Sequence, residues 1–277
     1  MKQTWLITGA TRGIGMEIVK AALSAGMNVC ATGRSLEKLR DTFPAQPGLL
    51  LLPLDVCDRQ QQSQVVEDCV KHFGRIDVLV NNAGYGQMGY FEEVKTDSVK
   101  AQFETNVFGQ IAMTQTTLPY MRQQRAGQIF NFSSIGGAIG YDIASIYCAS
   151  KFAVEGYSAS LAREVSRFGI TITIVEPGFF RTDFLDIRSV HFASPSVSDY
   201  DSLRQEGEKN YREYNHAQPG SPAKLAQALL TLAAAQEKPL RFAAGSDAFD
   251  LLTQEYESRL AELTTWKNLT CSTDIAR

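Results

Sequence analysis

Short apolar runs alternate with longer amphipathic stretches along most of the chain. Seven runs rich in Val, Ile, Leu and Phe, at 4–8, 28–32, 49–54, 76–81, 128–133, 170–176 and 240–243, show little in/out alternation. Strands covered on both faces read this way. Between them, amphipathic stretches at 13–25, 36–42, 59–73, 97–124, 145–168 and 222–235 predict helices. The repeated β-then-α order predicts an α/β fold, a doubly wound parallel sheet with helices on both faces. Such sheets bind ligands beyond the carboxyl ends of their strands. Residues 179–222 break the rhythm with Pro195, Pro219, Pro222 and scattered charges, and carry no strand-like run. A connection that long is usually a functional lid or disordered. A weak helix is expected near 199–214, and a final helix at 247–266 capped by Ser246 or Asp247.

Composition narrows the class. With 277 residues, 44% apolar and 21% charged, the chain has an ordinary globular make-up and suits one domain over 1–277. Twenty-seven Lys and Arg against thirty Asp and Glu leave a net charge of −3, without the basic footprint of a nucleic-acid binder. The densest apolar run, 49–54, holds Pro53 and falls far short of the roughly 20 residues of a membrane span. Trp5, Leu6 and Ile7 are too short a run for a secretory core. Five cysteines without a CxxC pair and three histidines without ligand spacing argue against disulfides and a metal site. A reducing cytoplasm is the expected setting, and no nucleic-acid or membrane partner is expected. The sequons at Asn131 and Asn268 then carry no glycan, and Asn131 falls in a strand.

Chemistry concentrates at strand ends. Thr8-Gly9-Ala10-Thr11-Arg12-Gly13-Ile14-Gly15 follows the first strand and opens the first helix. Glycines let backbone approach a diphosphate, and a helix amino end presents free N–H groups to it. A tight ligand-free turn would use the same residues, but the βα placement favours the phosphate cradle. The second strand ends in Gly33-Arg34, where an NAD enzyme usually carries a carboxylate. Arg34 and Arg12 suit the 2′-phosphate of NADP instead, because guanidinium binds phosphate in a bidentate, charge-assisted way. NADP(H) is therefore favoured, with NAD(H) possible.

Tyr147 and Lys151 are spaced i, i+4 and share a helix face. An ammonium there stabilises phenolate and makes the phenol a usable acid or base. Alone, the spacing also fits a surface Tyr beside a solvated Lys. Ser133 and Ser134 close the fifth strand, where a hydroxyl can bond a substrate carbonyl or simply end the strand on local backbone. Asn81, Asn82, Ala83 and Gly84 close the fourth strand, and Asn106 lies inside a helix that Asn disfavours.

Taken together, these motifs resemble those of the classical short-chain dehydrogenase/reductase family. The matching pieces are Thr8 to Gly15, Asp55, Asn81 to Gly84, Asn106, Ser134, Tyr147 with Lys151, and Pro177-Gly178 with Thr182, in family order over residues 1 to about 185. The resemblance implies a Rossmann-type fold with a seven-stranded parallel sheet. It implies that Tyr147 exchanges the proton, that Lys151 lowers the Tyr147 pKa and holds the nicotinamide ribose, and that Ser134 polarises the carbonyl. Asn106 would position a proton-relaying water. Asp55 and Val56 would contact adenine, and Asn82, Ala83 and Gly84 the central ribose and ring. Phe180 backbone and the Thr182 hydroxyl would hold the carboxamide. The expected reaction is hydride transfer between nicotinamide and an apolar carbonyl or secondary alcohol. The alternatives are a non-catalytic dinucleotide sensor, or an imine reductase, enoyl reductase or epimerase on the same scaffold.

Specificity is expected from 85–90, 135–146 and 179–222, which bring Tyr85, Met88, Ile139, Tyr141, Phe179, Phe184, Leu185 and Phe192. Arg181 and Arg188 are the cations available for a substrate carboxylate, and Cys148 reads as a buried structural thiol. The resemblance also implies a homodimer or homotetramer through the 97–124 and 145–168 helices.

Overall fold

The structure, a computed structural model, describes residues 2–186, 189–215 and 217–275. The chain runs β1 (Thr4–Ile7), α1 (Gly13–Ser24), β2 (Asn28–Gly33), α2 (Leu36–Thr42), β3 (Leu49–Pro53), α3 (Arg59–Phe73), β4 (Val78–Asn81) and β5 (Gly86–Met88). It continues with α4 (Thr96–Phe103), α5 (Gly109–Gln124), β6 (Gly127–Phe132), α6 (Ser145–Val165), β7 (Ile170–Pro177) and β8 (Val190–Phe192). It closes with α7 (Asp201–Tyr214), α8 (Pro222–Ala234), β9 (Arg241–Ala244), α9 (Ser246–Thr265) and α10 (Lys267–Cys271). Seven strands pair in the order β3-β2-β1-β4-β6-β7-β9, all parallel. This is a doubly wound, Rossmann-type sheet. Its order reverses between β1 and β4, where such sheets open a crevice.

The strand pattern builds two cores. Trp5, Ile7, Val78, Val80 and Phe130 point to one face and pack with Ile18 and Val19 of α1 and Leu225 and Leu229 of α8. Leu6, Leu79, Ile129 and Ile172 point to the other, against Val65 and Val66 of α3 and Met113 and Met121 of α5. Successive residues serve opposite faces, so both must be apolar. Side chains fix the helix starts: Ser35 accepts from Lys38 N at 3.2 Å, and Asp58 accepts from Gln60 N at 2.9 Å and Gln61 N at 3.1 Å.

The structure corrects three expectations. The 97–124 stretch is not one regular helix, because a five-residue π turn at 104–108 separates α4 from α5. Residues 179–222 do contain a strand: β8 pairs in parallel with β5, Gln87 opposite His191, in a separate two-stranded sheet. Three residues each is too short for a periodic signal. Neither Ser246 nor Asp247 caps the helix expected at 247–266, which is α9. Gly245 precedes it at φ 107, and Asp247 instead accepts from Phe179 N at 2.7 Å. The predicted 199–214 helix is present as α7.

Candidate active site

The crevice holds a cavity of about 1010 Å³. Its first wall is the loop between β1 and α1. Gly9 and Gly13 take φ +69 and +57, a conformation that glycine adopts at no steric cost. A Cβ on Gly15 would sit 2.4 Å from the Gly9 carbonyl oxygen, so this glycine lets α1 lean onto the loop rather than line the cavity. The loop is fastened to the end of β4. Thr8 Oγ1 accepts from Asn82 N and Ala83 N at 3.1 Å each, and Asn82 Nδ2 donates to Thr8 O at 2.9 Å. Thr11, Arg12, Gly13 and Ile14 line the cavity at the amino end of α1. Gly33 and Arg34, Asp55 and Val56, and Asn82, Ala83 and Gly84 line it from β2, β3 and β4. A Cβ on Gly33 would meet Thr11 Cγ2 at 2.7 Å, so a side chain there would require the Thr11 side chain to move. The Asp55 carboxylate accepts from Cys57 N at 2.9 Å.

A nicotinamide dinucleotide fits this wall. Two left-handed glycines, a helix amino end and two arginines suit a phosphorylated ligand.

The second group lies where β6 meets α6. Ser134 follows β6, and its Oγ accepts from Gly136 N at 3.1 Å. Tyr147 and Lys151 occupy the first turns of α6, and Lys151 Nζ stands 5.8 Å from the centre of the Tyr147 ring. A Cβ on Gly136 would lie 3.3 Å from the Tyr147 ring and 3.5 Å from Ser134 Oγ, so the glycine makes room between the two. Lys151 is buried and donates to the Phe132 carbonyl oxygen at 2.9 Å. Burial pushes its pKa down to about 8, against an upward pull from Glu155. Ser134, Tyr147 and Lys151 all line the cavity. A hydroxyl, a phenol and an ammonium converging on one space can bind a carbonyl oxygen and give it a proton.

Asn106 sits in the π turn, buried and outside the cavity lining. Its Oδ1 accepts from Tyr85 N at 3.1 Å; its Nδ2 donates to Tyr85 O at 3.0 Å and to Ser150 Oγ at 3.3 Å. It therefore ties the strand-end loop of β4 to α6. A Cβ on Gly84 would approach Asn106 Oδ1 at 3.1 Å and Lys151 Nζ at 3.9 Å, so these groups converge. π turns are frequent at functional sites.

Pro177, Gly178, Phe180 and Thr182 form the far end of the cavity. The Asp247 carboxylate fills the space that a Gly178 Cβ would need, 2.5 Å away. Thr182 Oγ1 accepts from Phe184 N at 3.1 Å. The substrate side is lined by Tyr85, Met88, Ile135, Tyr141, Phe179 and Phe184. Ile139 packs with Ala248 and Leu252 instead, and Phe192 is exposed on β8. Cys148 is buried beside Met88 and Ala144. Arg181 Nε donates to Gln218 O at 3.1 Å, outside the lining. Arg188 and the side chain of Leu185 lie outside the described residues.

Sequence reasoning missed the polar groups of this side: Asp142, Asp183, Ser189, His191 and Gln218. His191 packs edge-on to Tyr85 at 5.1 Å. The Gln218 amide and the Tyr141 hydroxyl are buried with no hydrogen-bond partner among the described residues. Burial pushes Tyr141 up to about 12. These residues come from the irregular 179–222 stretch and its contacts, where no periodicity flags them.

Comparison with known proteins agrees with this geometry. Residues 3–189 match the short chain dehydrogenase family. The chain is 38% identical over 251 residues to 3-ketodihydrosphingosine reductase of Bacteroides thetaiotaomicron, covering 88% of each. It superposes on a short-chain dehydrogenase from Streptomyces avermitilis with TM-score 0.89 and 38% identity, over 99% of this chain and 100% of that one. It superposes on ElxO, solved with NADP bound, at TM-score 0.71 and 29% identity, over 86% and 94%. The chain belongs to the short chain dehydrogenase family. It is an oxidoreductase of the nicotinamide-dependent dehydrogenase/reductase type.

Proposed function

We propose that the protein is an NADP(H)-dependent reductase of an apolar ketone, with the reverse alcohol oxidation available. The observation that carries this is the convergence of Ser134, Tyr147 and Lys151 on a cavity whose other end presents Arg12 and Arg34. Gly33 supplies no ribose-binding carboxylate of the kind an NAD enzyme usually carries at this strand end. ElxO, with NADP in its solved structure, supports the same cofactor.

When bound, the cofactor supplies the hydride. Gly9 to Ile14 would hold its diphosphate, Arg12 and Arg34 its 2′-phosphate, Asp55 and Val56 its adenine, and Asn82 to Gly84 and Lys151 its riboses. Pro177, Gly178, Phe180 and Thr182 would hold the carboxamide end. Ser134 donates a hydrogen bond to the carbonyl oxygen of the substrate and orients it. Tyr147 gives its phenolic proton to the alkoxide that forms on that oxygen. The Lys151 ammonium stabilises the phenolate left behind. Asn106 fixes the catalytic helix against Tyr85 at the substrate side. Tyr85, Met88, Tyr141, Phe179 and Phe184 exclude water from an apolar substrate, and the relative named 3-ketodihydrosphingosine reductase favours a long-chain ketone.

The test is parallel titration with NADPH and NADH by nicotinamide fluorescence, then NADPH oxidation across a series of ketones of increasing chain length. Tighter NADPH binding and turnover rising with chain length support the reading. Tighter NADH binding overturns the cofactor assignment, and activity confined to small polar ketones overturns the substrate. We also infer a homodimer through α5 and α6, beside which Phe108 and Phe152 are exposed. A monomeric elution volume counts against it.

A further inference from the structure

Beneath the catalytic residues lies a buried carboxyl pair that hydride transfer does not require. Glu155 stands four residues after Lys151 and eight after Tyr147, on the same face of α6. Glu176 is a carboxylate near the carboxyl end of β7, next to last in the strand, and only 2% exposed. The two carboxyl groups are in hydrogen-bonding contact. Glu155 Oε2 accepts from Arg241 Nε of β9 at 2.9 Å. Glu176 Oε1 is buried with no donor among the described residues, and Glu155 Oε1 has none but the neighbouring Ser133 hydroxyl. A carboxylate is an acceptor only, so two touching carboxylates cannot satisfy one another. A single proton between them supplies the missing donor.

The surroundings tie the pair to the active site. A Cβ on Gly137, in the turn that Ser134 opens, would lie 3.0 Å from Glu155 Cγ, 3.1 Å from Lys151 O and within van der Waals overlap of Ser133 Oγ. The turn therefore rests directly on Glu155 and Lys151. The charged and titratable groups facing the pair are Lys151 from α6, Arg241 from β9 and Tyr256 from α9, with Arg259 beside Tyr256.

We propose that Glu155 is a positioning residue for the acid–base machinery: with Glu176 it shares one proton, and the single negative charge left on the pair faces Lys151 and holds it as an ammonium. This rests on the reading of Tyr147 and Lys151 as the acid–base couple. Burial alone discharges a lysine, and Glu155 is the one carboxylate among the described residues that draws Lys151 the other way. Burial also raises both glutamates, Glu176 to about 7, with Glu155 adding to that rise as a like charge. Sharing a proton removes the repulsion and leaves the charge that Lys151 needs. Such a pair titrates as a unit.

The test uses infrared spectroscopy and a ¹³C titration of the lysine Cε. At about pH 6 the wild type shows a protonated-carboxyl band that shifts on deuteration and vanishes in both Glu155→Gln and Glu176→Gln. Lys151, assigned with Lys151→Met, loses its proton roughly one pH unit lower in Glu155→Gln. In Glu176→Gln the charge settles on Glu155, and the Lys151 midpoint does not fall. The alkaline limb of ketone reduction moves in step with that midpoint in each variant. Absence of the band in the wild type, its survival in Glu176→Gln, or an unmoved Lys151 midpoint in Glu155→Gln overturns the proposal. Thermal melting confirms that each variant is folded, and Glu176→Gln alone decides the shared proton if Glu155→Gln does not fold. Ketone reduction surviving in Tyr147→Phe sinks the acid–base reading instead, and leaves the infrared result standing.

Discussion

The two walls of the cavity are built by opposite means. The wall at the strand ends is fastened by buried side chains: Thr8 to Asn82, Asn81 Nδ2 to Asn131 Oδ1 at 2.9 Å, Asn131 Nδ2 to Ser158 Oγ at 2.8 Å, Lys151 to Phe132. Each bond joins elements far apart in sequence, so the wall moves only as a whole. Among the described residues the opposite wall is tied by the three-residue pairing of β5 and β8, the bridge between Phe180 and Gly220, the ion pair of Arg204 Nη2 with Glu93 Oε1 at 2.6 Å, and bonds such as Phe179 N to Asp247 and Arg181 Nε to Gln218 O. Glu93 also accepts from Ser196 N and Val197 N, and all three contacts hold its carboxyl below the usual range. On the proposed reading, the chemistry sits on the wall built from the main sheet and the choice of substrate on the wall built from the 179–222 segment.

Substitutions on each wall should separate accordingly. The largest effect belongs to Tyr147→Phe, which should lower kcat about 10²- to 10⁴-fold while fluorescence titration still shows NADPH binding. Next, Arg34→Ala should weaken NADPH but not NADH, by about ten- to a hundredfold in Kd, as loss of a charge-assisted bond requires. Equal weakening of both would break the assignment of Arg34 to the 2′-phosphate.

A third effect is set by pH. Because Lys151 sits near 8 in the folded protein, ketone reduction should fall by up to about tenfold per unit above that value. Its contribution to stability should run the other way. The unfolded chain keeps that proton to about 10.5, so between 8 and 10.5 the unfolded state binds more protons and stability rises with pH. Melting curves of the wild type and Lys151→Met across that window check the sign: the wild type should gain stability relative to Lys151→Met as pH rises. The smallest effect is that of Glu93→Gln on the lid. KM for the ketone should rise several-fold, with kcat and the Kd for NADPH nearly unchanged. A matching fall in NADPH affinity would mean that the two walls are not independent.

The same contrast explains how much could be read from the sequence. The seven strands of the main sheet were legible from their mainly apolar runs, most plainly in the fully buried β1 and β4 and less so in the partly covered β3 and β9. The cradle and the Ser134, Tyr147 and Lys151 positions were legible because strand ends and helix starts fix their spacing. β5 and β8 were not, since three residues carry no period. Nor were His191 and Gln218, whose place in the cavity depends on how an irregular segment folds back. Glu155 and Glu176 left a signal that went unused: an acid one helical turn beyond Lys151, and a carboxylate at the end of a strand that is buried along most of its length. Asn106 was read as an amide in need of a reason, and the π turn around it could not be seen in the periodicity of 97–124.

That turn sets a phase relation between two helices. It places five residues where a regular turn has about four, so α4 and α5 are offset by one residue, about 100° of rotation. Deleting one residue between Glu104 and Phe108 would give a smoother helix and an inactive one. Everything upstream would swing round the axis, Gln102 would lose its bonds to Tyr85 O and Gln87 N, and the lid would lose its footing while the sheet stayed whole.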